Sequence, residues 1–167
     1  RYVHLVLAVI IVFAAVGSAD DWLKLVGARR EPGSRDGLFG WEKLIFQPGV
    51  GLIVGYFAWQ LTGESLAAKS LTLPLMRTYE PGMETLSLAP NVIILPAAIF
   101  IGIAALLVGG MSNAVNFTDG LDGLAPGLMM IASFAVMVLC YIAGSPDLAG
   151  YLLLPHVEGS AELMVVA

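Results

Sequence analysis

Residues 113–123 read NAVNFTDGLDG and place two amides and two carboxylates, Asn113, Asn116, Asp119 and Asp122, directly after apolar sequence long enough to cross a bilayer. Ionisable side chains at membrane depth cost about 2.5–3.5 kcal/mol on insertion scales, so they persist mainly where they face a polar cavity or do chemistry. Asn113, Asn116 and Asp119 are spaced three apart and share one face of any helix that continues to them. Gly120 and Gly123 interrupt such a helix and put Asp122 on the turn that follows. Taken alone, the stripe fits a solvated helix end as well as a site.

A second cluster, ADDWLK at residues 19–24, follows the first apolar run. Adjacent carboxylates such as Asp20 and Asp21 repel, and the pair is best tolerated where a cation or a nearby lysine offsets the charge. Lys24 stands at i,i+4 from Asp20, within reach along a helix. A third charge, Lys43, follows GWE where the second apolar run begins, close enough to the interface for its ammonium to reach a phosphate. The simpler alternative is a lysine that only snorkels to the headgroups. Carboxylates for Mg²⁺ together with lysines for phosphate oxygens are what phosphoryl transfer demands, because the task is charge neutralisation and positioning.

These groups must be positioned by membrane helices. Apolar residues make up 58% of the chain and charged residues 13%, with a mean hydropathy of +0.86, which excludes an ordinary soluble domain and indicates an all-α polytopic membrane protein. The net charge of −5 says less here than the local distribution of Lys and Arg. A spanning helix needs about 17–25 apolar residues. Four runs qualify, at 2–19, 44–61, 92–111 and 124–143, and a fifth is expected to start near Ala161 and run through 167. All belong to one transmembrane domain, with loops at 20–43 and 112–123 on one side and at 62–91 and 144–160 on the other. Five of the eight basic residues, Lys24, Arg29, Arg30, Arg35 and Lys43, lie in the first loop, which makes that side cytoplasmic and brings both acidic clusters to it. Within the outer loop, TLPL (72–75) is a candidate extended piece, and Pro74, Pro81 and Pro90 limit any helix there. Pro48 and Pro96 fall near the starts of the second and third spans, where a proline is tolerated. The chain opens on Arg1 and closes in apolar sequence, as expected of an internal part of a longer protein.

GSADDWLKL, GWEKLIFQ and NAVNFTDGLDGLAPG, in this order and at these separations, closely resemble the bacterial phospho-N-acetylmuramoyl-pentapeptide transferases, within the polyprenyl-phosphate sugar-1-phosphate transferase superfamily. SLTLPL and PHVEGSAELMVV add weaker similarity, so the resemblance covers essentially the whole chain, corresponding to about the middle half of a family member. It implies an enzyme of about ten helices, of which this chain would hold the third to the sixth and the start of the seventh. It further implies Mg²⁺-dependent transfer of phospho-N-acetylmuramoyl-pentapeptide from its UDP carrier to undecaprenyl phosphate, giving lipid I and UMP at the cytoplasmic face of the bacterial inner membrane. In the family the aspartates matching Asp20 and Asp21 are catalytic, and the lysine matching Lys43 serves the phosphates. Lys24 is grouped with the substrate-binding positions. Residues matching Asn116, Asp119 and Asp122 line the nucleotide part of the cleft, and Asn113 supports them. The main Mg²⁺ ligand and a His-rich loop would lie beyond Ala167, with Asp20 and Asp21 as candidate contributors to the metal. Expected partners are the UDP-linked substrate, undecaprenyl phosphate, the bilayer and, as a candidate, a second copy of the chain; no nucleic acid is expected.

Two alternatives stay open. A sister enzyme transferring N-acetylglucosamine-1-phosphate to the same lipid is favoured only if the sugar-facing motifs, expected mostly outside this chain, differ from those described. A transporter or proton path would place polar groups near span midpoints, whereas the middles of all four spans carry no charge. Other features read as structural: Trp22, Trp41 and Trp59 as an aromatic belt, His4 and His156 as lone residues outside ligand spacing, Cys140 as a packing residue, and Gly51 with Gly55 as a site of close helix approach.

Overall fold

The computed structural model describes residues 1–27, 37–73, 76–79, 87–118 and 123–166. Four helices are long and apolar enough to cross a membrane: α1 (Tyr2–Gly27), α2 (Gly40–Leu61), α3 (Ala97–Thr118) and α4 (Leu124–Gly144). Most of their large apolar side chains point outward, as helices solvated by lipid require. The all-α polytopic architecture is as the sequence indicates.

The boundaries differ from the apolar runs in ways that matter for the site. Helix α1 continues past Ala19 through ADDWLKL to Gly27, because Lys24 pairs back to Asp20 at i,i+4 (2.8 Å) and stands in the last turn, where a cation suits the helix dipole. Helix α2 starts at Gly40 rather than Leu44. Phe39 is extended, its carbonyl accepts from the Glu42 and Lys43 amides, and its own N–H donates to Glu42 Oε2 (2.9 Å). Lys43 therefore belongs to the first turn of α2 rather than to a loop. At the other end of the chain's third span, Ile93 and Ile94 form a strand, β2, antiparallel to β1 (Ser70–Leu71), with Ser70 opposite Ile94 and Leu71 opposite Ile93. The β-branched pair favours extended backbone, Pro96 disfavours helix at the residue before it, and α3 begins only at Ala97. Extended structure thus lies just ahead of TLPL; Pro74 and Leu75 fall outside the described residues, as does Pro81.

Two further elements follow α4. Helix α5 (Pro146–Leu152), within the expected outer loop, starts with proline at a position whose N–H no helix would use, and Ser145 Oγ accepts from the Leu148 amide. Residues Ser160–Val165, where a fifth span is expected to begin, form a 3₁₀ helix packed on α4, with Ser160 Oγ donating to the Cys140 carbonyl (3.2 Å). The segments at this end of the helices are tied together by hydrogen bonds. The Thr78 amide donates to Leu153 O (2.8 Å), and the His156 amide donates to Tyr79 Oη (2.9 Å). His156 Nδ1 lies 2.9 Å from Ala143 O, which gives this histidine the structural role expected of it.

Helices α2 and α3 form the closest pair. A Cβ placed on Gly51 would lie 2.6 Å from Ala105 Cα, and one on Gly55 would lie 2.9 Å from Ala104 Cβ and 3.0 Å from Ile101 Cα. Backbone contact of this kind is how helices associate where no hydrophobic driving force separates them from lipid. Pro48 completes the seam against Gly109, whereas Gly102 faces open space. Gly51→Ala is expected to force the helices apart and cost about 1–3 kcal/mol, as other overpacked cores do. A lowered unfolding midpoint of the full-length protein in detergent checks this, with Gly102→Ala as the neutral comparison.

Candidate active site

The ends of α1, α2 and α3 meet on one side around a cavity of about 610 Å³, lined by Phe13, Val16, Gly17, Ala19 and Asp20 of α1, by Leu38, Glu42, Lys43, Phe46 and Gln47, and by Ser112, Val115 and Asn116 of α3. Its volume suits a small-molecule site. Its wall is apolar toward the membrane interior, where Phe13 and Phe46 meet edge to face with centroids 6.5 Å apart, and polar toward the helix ends.

Asp20 is the centre of the polar part. It is only 7% exposed although it is charged. Its Oδ2 pairs with Lys24 Nζ at 2.8 Å and with Lys43 Nζ at 2.9 Å, and its Oδ1 accepts the Leu38 backbone N–H at 2.6 Å. Two ammonium groups and an amide thus offset the cost of removing this carboxylate from water. The segment before α2 reaches Asp20 because Gly37 adopts φ +82°, a left-handed conformation, and because it has no side chain: a Cβ there would stand 2.7 Å from Asp20 Oδ1. Asp21 points elsewhere. It is largely exposed, does not line the cavity, and pairs with Lys24 at 3.2 Å.

On α3 the helix does continue to the two amides, as their spacing requires. Asn116 lines the cavity. Asn113 instead faces α2, with Nδ2 donating to Gln47 Oε1 (2.6 Å) and to Gly109 O (2.8 Å). Asp119 and Asp122 lie outside the described residues. Of the residues singled out from sequence, Asp20, Lys43 and Asn116 therefore share one cavity, Lys24 braces Asp20 from beside it, Asn113 supports the α2–α3 seam, and Asp21 stands apart. Sequence reasoning missed Gln47, Glu42 and the Gly37–Leu38 backbone. Gln47 had a readable signal, being four residues after Lys43 and hence on the same face of α2, and an amide set within otherwise apolar sequence. The Leu38 amide had none.

Among the described residues, no three His, Cys, Asp or Glu side chains gather as a metal-binding group. Asp20 is already engaged by two cations. Asp21 keeps a carboxylate oxygen without a partner among the described residues, which suits Mg²⁺ where substrate phosphates supply further ligands.

This is a helical membrane chain with a charged, amide-bearing cavity at one end of its spans and an apolar wall toward their interior. The chain belongs to glycosyl transferase family 4, whose sequence profile matches residues 3–159. It is also similar to the phospho-N-acetylmuramoyl-pentapeptide-transferase of Desulfotalea psychrophila, with 35% identity over 163 residues covering 98% of this chain and 40% of that protein. The chain thus spans about two fifths of the length of that relative.

Proposed function

We propose that this chain forms part of a phosphoglycosyl transferase that moves phospho-N-acetylmuramoyl-pentapeptide from UDP-N-acetylmuramoyl-pentapeptide to undecaprenyl phosphate, giving lipid I and UMP. The observation that carries the reading is the convergence of Asp20, Lys43 and Asn116 on one cavity at the helix ends. The similarity to a transferase named for this donor supports it. The basic residues between α1 and α2 support a cytoplasmic placement of that end, in the inner membrane, where a soluble nucleotide arrives.

In this reading a polyprenyl chain stays in the bilayer against the apolar wall of Phe13, Val16 and Phe46, and its phosphate reaches the polar end. A phosphate monoester is mostly dianionic near pH 7, so the nucleophile needs no strong base. Asp20 then acts chiefly by holding Lys24 and Lys43 where phosphate oxygens arrive. Lys43 neutralises charge as a lipid phosphate oxygen attacks the donor's β-phosphorus, the bond from that phosphorus to the bridging oxygen breaks, and UMP departs. Mg²⁺, when bound, would neutralise diphosphate charge, with Asp20 in the cavity and Asp21 outside it as candidate contributors of an oxygen.

The test is transfer by the purified full-length protein. Lys43→Ala should lower turnover about ten- to a hundredfold, the loss expected for one charge-assisted contact, and Lys43→Arg should restore it only in part because the fork of a guanidinium does not replace a point charge. Unchanged transfer in Lys43→Ala would mean that the lysine only balances the charge of Asp20, and wild-type protein without transfer would remove the reading altogether.

A further inference from the structure

One polar group facing the cavity is not used by the arrangement described so far. Gln47 is only 8% exposed, lines the cavity one turn deeper than Lys43, and makes a single side-chain hydrogen bond among the described residues, through Oε1. Which end of the amide is nitrogen follows from its partner. Gly109 O can only accept, so the Asn113 atom 2.8 Å from it is Nδ2, a donor. The Gln47 atom 2.6 Å from that same Nδ2 must then accept, and is Oε1. The Gln47 Nε2 group is left as a donor with no partner among the described residues. No wholly enclosed side-chain nitrogen or oxygen among them lacks a partner, so Nε2 reaches the accessible space of the cavity. An amide fixed through its oxygen and open at its nitrogen holds a donor in place at the cavity wall, ready for an acceptor bound there.

We infer that Gln47 is a substrate-binding residue whose Nε2 donates to a phosphoryl oxygen beside Lys43, and that Asn113 is the positioning residue that fixes its amide. The i,i+4 spacing puts the Lys43 ammonium and the Gln47 amide on one face of α2, so a single phosphoryl group can take both. The phosphoryl identity rests on the transferase reading; the open donor does not. The oxygen can belong to the lipid phosphate or to the nucleotide diphosphate.

The test uses the purified full-length protein with Gln47→Glu, which keeps an acceptor for Asn113 but replaces the donor with an acceptor, and Gln47→Met, which removes the donor without adding charge. Asn113→Ala frees the amide. Steady-state transfer is measured against each substrate, and direct binding is measured with farnesyl monophosphate and with UDP as probes. Both Gln47 variants should raise KM about tenfold or more for one substrate and weaken the matching probe equally, while the unfolding midpoint stays near wild type. The affected substrate identifies which phosphate is held. Asn113→Ala should shift the same KM by less. If wild type turns over and both Gln47 variants match it in KM and probe affinity, the inference is overturned. If wild type shows no transfer but the Gln47 variants still weaken a probe, the transferase reading falls and the binding role of Gln47 stands. If wild type neither turns over nor binds either probe, both fall.

Discussion

Asp20→Asn in the full-length protein is expected to lower transfer on the order of a thousandfold, equivalent to about 4 kcal/mol of transition-state stabilisation. The replacement keeps the shape of the side chain and an oxygen for the Leu38 amide, but removes the charge that holds two ammonium groups at 2.8 and 2.9 Å. Breaking one side of a buried ion pair typically costs about 3–5 kcal/mol, because the remaining charge is left uncompensated. Here the charges left behind are Lys24 and Lys43, which can swing toward water. The principal loss is therefore one of position rather than of fold. Lipid product formed in detergent micelles gives the rate, and thermal unfolding checks that the helices remain assembled. Turnover within a few fold of wild type would show that Asp20 does not organise the site. Asp21→Asn, whose carboxylate is exposed and outside the cavity, separates the two aspartates: a comparable loss there would have to come from a ligand that Asp21 meets only when substrate or metal is bound.

The second large effect belongs to a residue with no chemistry of its own. Gly37→Ala introduces a Cβ at φ +82° and 2.7 Å from Asp20 Oδ1, so the backbone of the segment has to move and take the Leu38 N–H with it. A hydrogen bond to a charged group is worth about 1.5–3 kcal/mol, and a non-glycine residue in the left-handed region costs roughly 1–2 kcal/mol more. Transfer should fall about a hundredfold. Gly40→Ala is the control, because a Cβ there meets nothing within 4 Å and Gly40 begins α2 with an ordinary backbone. Equal activity in the two variants would separate the Gly37 turn from the site.

What the sequence disclosed follows a physical pattern. Apolar runs near twenty residues identify spans because the bilayer imposes one length on them. They misplace the ends, because a helix continues into polar sequence wherever its backbone and side chains find partners, as α1 does through Asp20 and Lys24, and begins late where β-branched residues and proline oppose it, as at Ile93–Pro96. Local spacing showed that Asp20 and Lys24 would pair and that Asn113 and Asn116 would share a helix. It could not show that Asn113 turns toward Gln47 while Asn116 faces the cavity, since that depends on where α2 crosses α3, and the crossing is set by Gly51, Gly55, Ala105 and Gly109 far along the chain. The pairing of Lys43 with Asp20 is long-range in the same way. A backbone donor such as the Leu38 amide carries no residue-type signal at all. Asp119 and Asp122 lie outside the described residues, and their part in the site remains a proposal drawn from resemblance.

The two lysines meet incoming substrate already partnered, since both share one oxygen of Asp20. On the proposed reading, binding is then an ion exchange rather than a capture: a phosphate must outbid a carboxylate already in place. A monoanion offers the ammonium groups no more charge than Asp20 does. A dianion does, which makes the resting cluster a filter for valence and favours the fully ionised phosphate, the form of the acceptor that is ready to attack.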